Sequence, residues 1–438
     1  MRWGFNDLHQ ACNVTNTAGL LINSTWQSYR IRPRDRSKTW FGLQRSLNEG
    51  LGNFVGGSSL TRVNRLFYPW IDQLSGEYWI TWRQRTEDLL GRVDGNIPYL
   101  RPVSGIVSGI KPAIVAGWLA QLATWLDSHM PGDLVGESPR VFIPCLKRFK
   151  HTDYAERRQY LDPILRLQNY AASHLSRYVL GVYLHGSMST LDYVPGSSDL
   201  DALAVVNLVT ICHADQLLLF RRKLIHTLRW FYQIDYAQHH GYAILSELDL
   251  RFYSESLFPS TLFAYLTPLT GVCGLTIQTS KEEVDLVAPC EEMSKFLRHT
   301  IESPMRLWRW FDQKLTLQSV LLLPTLYLQA HGIHVYKRNS FALAREHFTD
   351  NAWTIVEKAS QIRNLGLQQN IVTFWAGTFS ANLPSPWLAS FLLNRIHRRI
   401  PAQAGAILGE QWIQETICFL DEIDSALRKI RVGSNHAD

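Results

Sequence analysis

The chain has 438 residues, of which 46% are hydrophobic and 19% charged, and it carries a formal net charge of +6. At about 150 residues per domain, this length predicts roughly three domains, and the balance of apolar and charged residues excludes an intrinsically disordered chain. The six cysteines are scattered singly, without a CxxC pair or a matching histidine spacing, which excludes a disulfide-rich mini-protein and a zinc finger.

The sequence also bears on localisation. Its first residues lack the apolar stretch of a secretory signal peptide, and nowhere do about 18 apolar residues follow one another. Single cysteines are typical of a reducing compartment. We therefore expect a cytoplasmic protein without a membrane partner.

The N-terminal region, residues 1–150, has no fold that the sequence assigns. Its clearest element is an amphipathic helix predicted over 114–126. Tryptophans are frequent here, among them Trp40, Trp79 and Trp118. They are compatible with an acceptor-binding wall, but packing against the rest of the chain is the preferred interpretation.

Residues 151–295 alternate between helical and β-type periods, which predicts an α+β domain. The short apolar runs are of the kind that is buried inside a sheet. The predicted elements follow one another as helix, strand, strand, helix and strand: 156–176, 178–184, 200–206, 216–232 and 242–253.

Residues 296–438 have a helical pattern almost throughout and form the third predicted domain. Proline and glycine interrupt helices, so we expect breaks at Pro324, Gly332, 384–386 and Pro401.

Gly186 and Ser187 follow the first apolar run, where a strand ends and a helix begins. Backbone N–H groups and a hydroxyl at such a turn can bind phosphate. Asp199 and Asp201 are two residues apart on the next predicted strand, so both carboxylates leave the same face and can share divalent cations. The sequence therefore predicts a triphosphate and its magnesium at one edge of the sheet.

Chemistry of this type needs a third carboxylate, either to complete a second metal site or to accept the proton of an attacking hydroxyl. Polar and apolar residues alternate over 246–252, which predicts that Glu247, Asp249 and Arg251 share one face of a strand. Asp249, centred in the apolar run, is the preferred candidate. Glu247 is the alternative, although it could equally be a surface partner of Arg251.

The order of these residues, Gly-Ser, then Asp-x-Asp, then an acid on a later strand, resembles the nucleotidyltransferase superfamily typified by DNA polymerase beta over residues 175–255. The segments 259–289 and 335–342 are also similar to the streptomycin/spectinomycin adenylyltransferases. This resemblance implies a polymerase-beta-like mixed sheet with flanking helices and a helical bundle behind it.

Residue by residue, the resemblance implies Gly186 and Ser187 for the triphosphate, Asp199 and Asp201 for magnesium, and either Asp249 or Glu247 as base or third ligand. In the adenylyltransferases a lysine at the start of a bundle helix contacts the nucleotide phosphates. Lys337 is the matching position here, with Arg338 as an alternative, and a solvated loop is the competing interpretation of both.

The implied activity is transfer of a nucleoside monophosphate, by preference AMP from ATP, to a hydroxyl of a small molecule or protein, with two Mg²⁺ ions. Two other functions stay open. One is a nucleotidyltransferase that acts on nucleic-acid ends. The other is a non-catalytic regulatory protein that keeps the fold, which is favoured if neither Glu247 nor Asp249 faces the Asp199 and Asp201 pair.

Clusters of basic residues occur at 30–38, 147–150 and 395–399. They could track nucleic-acid phosphate. With a net charge of only +6 over 438 residues, solvated faces are the preferred interpretation, and a nucleic-acid partner is possible but not favoured.

Overall fold

The computed structural model describes residues 36–55, 74–93, 109–129, 140–194, 198–235, 241–280, 284–302, 310–364 and 409–434. Over these residues the chain is a mixed α/β protein. The breaks expected at 384–386 and Pro401, the basic cluster at 395–399 and most of the cluster at 30–38 lie outside the described residues.

Three helices and a small strand pair come from the N-terminal region: α1 (Arg36–Val55), β1 (Leu74–Ser75), α2 (Gly76–Leu90), β2 (Gly109–Ile110) and α3 (Pro112–Ser128). The strands β1 and β2 pair antiparallel. The helix predicted over 114–126 is confirmed as α3, which begins at a proline because the first turn of a helix does not need that N–H.

The central region contains β3 (Val141–Pro144), α4 (Arg158–Tyr170), β4 (Val179–His185), α5 (Gly186–Thr190), β5 (Asp201–Val206), α6 (Leu208–Cys212), α7 (Ala214–Ile234), β6 (Tyr242–Ser246), α8 (Glu247–Arg251), β7 (Thr267–Gly271) and β8 (Gly274–Ile277). A π-helical turn, Ala171–Leu175, extends α4, and 3-10 turns occupy His151–Tyr154 and Ser260–Tyr265.

The main sheet is mixed and has the strand order β6-β5-β4-β7. β4 is antiparallel to both β5 and β7, whereas β6 is parallel to β5 and is reached through the crossover helix α7. The side chains from Ala202 to Val206 are all buried, because apolar clusters cover both faces of the sheet. β3 and β8 form a separate antiparallel ribbon.

The strand predicted over 242–253 is correct only as far as Ser246. There Ser246 begins α8 with a capping box: its hydroxyl accepts a hydrogen bond from the Asp249 N–H, and the Asp249 carboxylate accepts one from the Ser246 N–H. The alternation that indicated a strand arises because Leu248 and Leu250 join the apolar clusters on opposite sides of the sheet. Local capping outweighs the period-two pattern.

The C-terminal helices are α9 (Ala288–Ile301), α10 (Trp310–Ala330), α11 (Lys337–Arg345), α12 (Asp350–Asn364) and α13 (Glu410–Ser434). They share an apolar cluster of their own. The break expected at Pro324 is wrong, because Pro324 lies inside α10, where buried neighbours on several sides hold the helix together. Gly332 does separate two helices, with a φ of +76°.

One hydrophobic core joins the N-terminal helices to the main sheet. Its buried aromatic residues include Trp40, Trp79, Trp82, Trp118 and Trp125, which confirms the packing interpretation for these five side chains. The domain boundary at residue 150 stays a prediction. In the described part of the chain, no helix combines the length and apolar content needed to cross a bilayer.

Candidate functional site

A cleft of about 800 Å³ lies between the turn that follows β4 and the C-terminal helices. This volume falls within the range of small-molecule sites. Most of the predicted site residues line it together: Gly186, Ser187, Asp199, Asp201 and Lys337. The predicted phosphate and metal residues therefore meet in one place.

The turn from β4 into α5 brings Gly186 against Asp201. His185 pairs with Asp201 across the antiparallel strands, and Gly186 has a φ of +63°. A Cβ at position 186 would lie 2.4 Å from Asp201 Oδ2, so only glycine allows the backbone to approach this carboxylate. The turn and the acid are thus neighbours because of the strand register.

Asp199 and Asp201 both line the cleft, although only Asp201 belongs to a strand. β5 begins at Asp201, so the expectation that both acids lie on the strand is corrected: Asp199 precedes it. The Asp199 side chain is 7% exposed and Asp201 is half-buried. Both side chains are of the type that Mg²⁺ prefers, because carboxylate oxygens are its usual protein ligands.

Lys337 is the first residue of α11, and Tyr336 fixes that end of the helix to α5 and to the 3-10 turn Ser260–Tyr265. The Tyr336 Oη donates a hydrogen bond to Asp192 Oδ1 (3.1 Å) and lies 2.6 Å from Thr190 Oγ1, while its ring stacks on Tyr265. Lys337 is thereby held beside α5, in the same cleft as Gly186 and Asp201.

The electrostatics of Lys337 are unusual for a lysine. Burial, followed by the nearby Arg363 guanidinium, lowers the pKa of Lys337 to about 8, although the carboxylates of Asp199, Asp201 and Asp192 act in the opposite direction. An anion bound at this ammonium would favour its protonated form. A group that titrates near neutral pH therefore faces the predicted phosphate position.

Lys314, which lies buried in α10, was not among the predicted site residues. Its Nζ donates to Asp235 Oδ2 at 2.5 Å. Burial lowers the pKa of Lys314, but the carboxylates of Asp235, Asp199 and Asp201 together raise it above its usual value, so the ammonium stays charged beneath the acid pair. In the sequence Lys314 follows Asp312 and Gln313 in the polar start of α10, so no local pattern marked it.

Glu247 and Asp249 do not line the cleft, so the expectation that either faces Asp199 and Asp201 is wrong. The reason is the parallel pairing of β5 with β6, in which Val206 lies opposite Ser246. The acids follow Ser246 and are therefore at the far end of β5 from Asp201, about 16 Å along the strand.

Asp249 is instead the centre of a buried polar cluster. Its carboxylate accepts hydrogen bonds from Ser246 N (2.7 Å), Ser246 Oγ (2.8 Å), Asn48 Nδ2 (3.1 Å) and Gln44 Nε2 (3.2 Å). Burial raises the pKa of Asp249, while these donors act against the shift. This cluster ties α1 to the end of β6.

Glu247 has surface partners, as the alternative interpretation held. It accepts hydrogen bonds from the Leu208 N–H (2.9 Å) and from Arg251 (2.7 Å). Burial tends to raise the pKa of Glu247, but these two partners lower it overall. The side chain thus caps α6 and forms an ion pair within α8.

Three further acids line the cleft: Asp192, Glu255 and Asp285. Asp285 accepts hydrogen bonds from the N–H groups of Val287 (3.0 Å) and Ala288 (3.1 Å) and pairs with Arg431 (2.9 Å). Asp285 is an acid inside the short apolar run 284–287, part of the segment 259–289 that resembles the adenylyltransferases, and no site role was predicted for it.

The donor set fits a magnesium ion that is shared with a substrate. Within the described ranges, no group of three or more His, Cys, Asp or Glu side chains is arranged to hold a metal ion. Magnesium is usually bound by one or two carboxylates together with substrate phosphates and water. Asp199 and Asp201 meet that requirement once a phosphate supplies the other oxygens.

Comparison of the chain with protein-family models, with curated proteins and with solved structures finds no match in any of the three. A functional proposal therefore depends on the chemistry of the cleft.

Proposed function

We propose that the protein is a magnesium-dependent nucleotidyltransferase that transfers a nucleoside monophosphate, by preference AMP from ATP, to a hydroxyl of a small molecule or protein. The observation that carries this proposal is the contact between the Gly186 turn and Asp201 in a cleft that Asp199 and Lys337 also line. The strand order of the main sheet and the separate core of the C-terminal helices support a polymerase-beta-like domain followed by a helical bundle.

In this proposal the chain positions a triphosphate rather than reacting with it. Ser187 and the backbone of the Gly186 turn bind phosphate oxygens, and the Lys337 ammonium binds them from the side of α11. Asp199 and Asp201 would hold magnesium, which neutralises phosphate charge when bound. The buried Lys314 ammonium reduces the electrostatic repulsion between the Asp199 and Asp201 carboxylates.

The transfer step joins the acceptor oxygen to the α-phosphorus, and the bond from that phosphorus to its bridging oxygen breaks, releasing pyrophosphate. The acceptor proton needs a base. Because Glu247 and Asp249 lie elsewhere, we assign this role to one of the acids that line the cleft, Asp192, Glu255 or Asp285. Separate amide variants of the three will identify it by the largest fall in kcat.

Nucleotide affinity is expected to fall as the pH rises through about 8, the pKa of Lys337 in the free protein. Below this pH the ammonium is protonated and attracts phosphate; above it the neutral amine does not, and binding weakens by up to about tenfold per pH unit. Calorimetric titration with a non-hydrolysable ATP analogue between pH 6.5 and about 9.5 measures this.

The matched variant is Lys337→Arg, which stays charged throughout and should flatten the pH profile. Lys337→Gln should bind weakly at every pH. If Lys337→Gln keeps the wild-type profile, Lys337 does not contact the phosphates and Arg338 becomes the phosphate contact to test.

The proposed activity is tested by incubating the protein with magnesium, each α-labelled nucleoside triphosphate and a cell extract. We expect label from one nucleoside triphosphate, by preference ATP, to appear on one class of hydroxyl acceptor. The matched control is Asp201→Ala. Label spread evenly over all bases, or none above this control, would contradict the proposal.

The placement of Glu247 and Asp249 away from the cleft favours one alternative, a regulatory protein that binds a nucleotide without turning it over. Calorimetry separates the two functions. Saturable, magnesium-dependent ATP binding without transfer of label would select the regulatory protein, whereas binding with transfer selects the enzyme.

A further inference from the structure

The ribbon of β3 and β8 has one face that no described element covers. Ile143, Leu275 and Ile277 point inward and join the apolar cluster beneath the ribbon. Because side chains alternate along a strand, their neighbours point outward. The outward side chains include Phe142, 54% exposed, whose ring lies against Gly274.

Two more exposed apolar side chains lie at one end of the ribbon. The Cys145 N–H donates to the Cys273 carbonyl (3.3 Å), so the residues next to them, Leu146 and Val272, lie at the same end. Leu146 is 68% exposed and Val272 is 62% exposed. We call Phe142, Leu146 and Val272 the ribbon face.

Cations flank the ribbon face on both sides. Arg140 precedes β3, and Lys147, Arg148 and Lys150 follow it; all four side chains are exposed. In the described part of the chain, no ion pair joins any of them to a carboxylate. Residues 140–152 and 267–280 contain no Asp or Glu, and the four cations outnumber the two acids that follow them, Asp153 and Glu156.

We infer that the ribbon face docks the protein peripherally on a lipid bilayer that contains anionic phospholipid. Charge complementarity carries this choice of partner, because unpaired Lys and Arg side chains are attracted to anionic headgroups. The exposed Phe, Leu and Val side chains fit the acyl region just below those headgroups. This inference does not depend on the proposed transferase activity, and it revises the expectation that the protein has no membrane partner.

Two other occupants explain the surface less well. A second copy of the chain would bring like charges together across a self-complementary contact, which is unfavourable. A nucleic acid would neutralise the cations, but phosphate and sugar contacts make no use of protruding Leu and Val side chains. A bilayer uses both the charges and the apolar side chains.

The test is co-sedimentation of the full chain with vesicles of phosphatidylcholine alone and of phosphatidylcholine with about 20% phosphatidylserine. We expect sedimentation with the anionic vesicles only, and its loss at high salt, because salt screens exposed charges. Lys147→Glu combined with Arg148→Glu should lower the partition coefficient about 25-fold or more, at roughly fivefold for each cation removed. Leu146→Ser combined with Val272→Ser should also lower it.

The matched controls make the same kinds of charge and polarity change at exposed residues outside the ribbon face. Arg222→Glu with Lys295→Glu alters the net charge equally, and Val209→Ser removes a side chain that is 65% exposed away from the ribbon. Both controls should sediment like the wild type. Thermal unfolding of every variant should match the wild type, since the changed side chains are exposed.

Failure to sediment with anionic vesicles would overturn the inference, as would equal losses in the control variants. A third outcome would also overturn it: the serine variant sediments normally, and a DNA duplex binds the wild type but not the glutamate variant. The surface would then be a polyanion site without insertion. Nucleotide binding, measured in parallel, should not change in any ribbon variant.

Discussion

Asp201→Asn is expected to lower kcat/KM for nucleotidyl transfer at least about a thousandfold while the protein stays folded. The substitution keeps the shape of the side chain, so the close approach of Gly186 is preserved. It removes one of the two carboxylates that the proposed function assigns to the cation of a metal–triphosphate complex. Initial rates with labelled ATP measure the loss, and differential scanning calorimetry measures the fold.

A neutral side chain at position 201 should leave the protein folded, because the relief of repulsion with Asp199 offsets the lost attraction to the Lys314 ammonium. Asp215→Asn serves as the matched control, since Asp215 is exposed at the start of α7 and lies outside the cleft. Its rate should equal that of the wild type. An Asp201→Asn protein that keeps more than about a tenth of the activity would rule out a metal-holding role for this residue.

Asp249→Ala is expected to lower the free energy of unfolding by about 3–5 kcal/mol and to leave nucleotide affinity unchanged. The carboxylate satisfies buried donors of Ser246, Asn48 and Gln44, which would lose their acceptor without gaining water. Urea unfolding at 25 °C measures the stability, and calorimetry with the ATP analogue at a temperature where the variant is folded measures the affinity.

Glu247→Gln is the control for this experiment. The Glu247 side chain is partly exposed and forms a surface ion pair with Arg251, so its loss should cost less than about 1 kcal/mol. The opposite pattern would contradict the assignment: an Asp249 variant with wild-type stability and no transfer activity would return Asp249 to the catalytic role that its sequence position first suggested.

The centre of the candidate site could be predicted from sequence because its signals are local. The apolar run that forms β4, the Gly186 turn and the run that contains Asp201 lie within about thirty residues, and their antiparallel register brings the turn against the acid. The Asp201–Val206 strand is buried on both faces, so its nearly continuous apolar pattern is unambiguous.

The rest depends on one local capping interaction that competes with the strand pattern and on contacts between distant segments. Ser246 ends β6 because it caps α8. The parallel pairing of β6 with β5 then places Asp249 at the end of β5 that is far from Asp201. Neither effect is visible in an alternating pattern. Lys314 and Asp285 reach the site region from the C-terminal half through tertiary packing, and a single sequence has no period or spacing that reports such proximity.

The attachment of Tyr336 has a consequence for how a ligand enters. Tyr336 and Lys337 are consecutive, and the Tyr336 hydroxyl donates a hydrogen bond to Asp192, which follows α5. Any swing of α11 that widens the mouth of the cleft must break that bond and withdraw the lysine in the same movement. Under the proposed function, opening of the cleft and loss of the Lys337 contact to phosphate would therefore occur together, and the Tyr336 hydroxyl would control both.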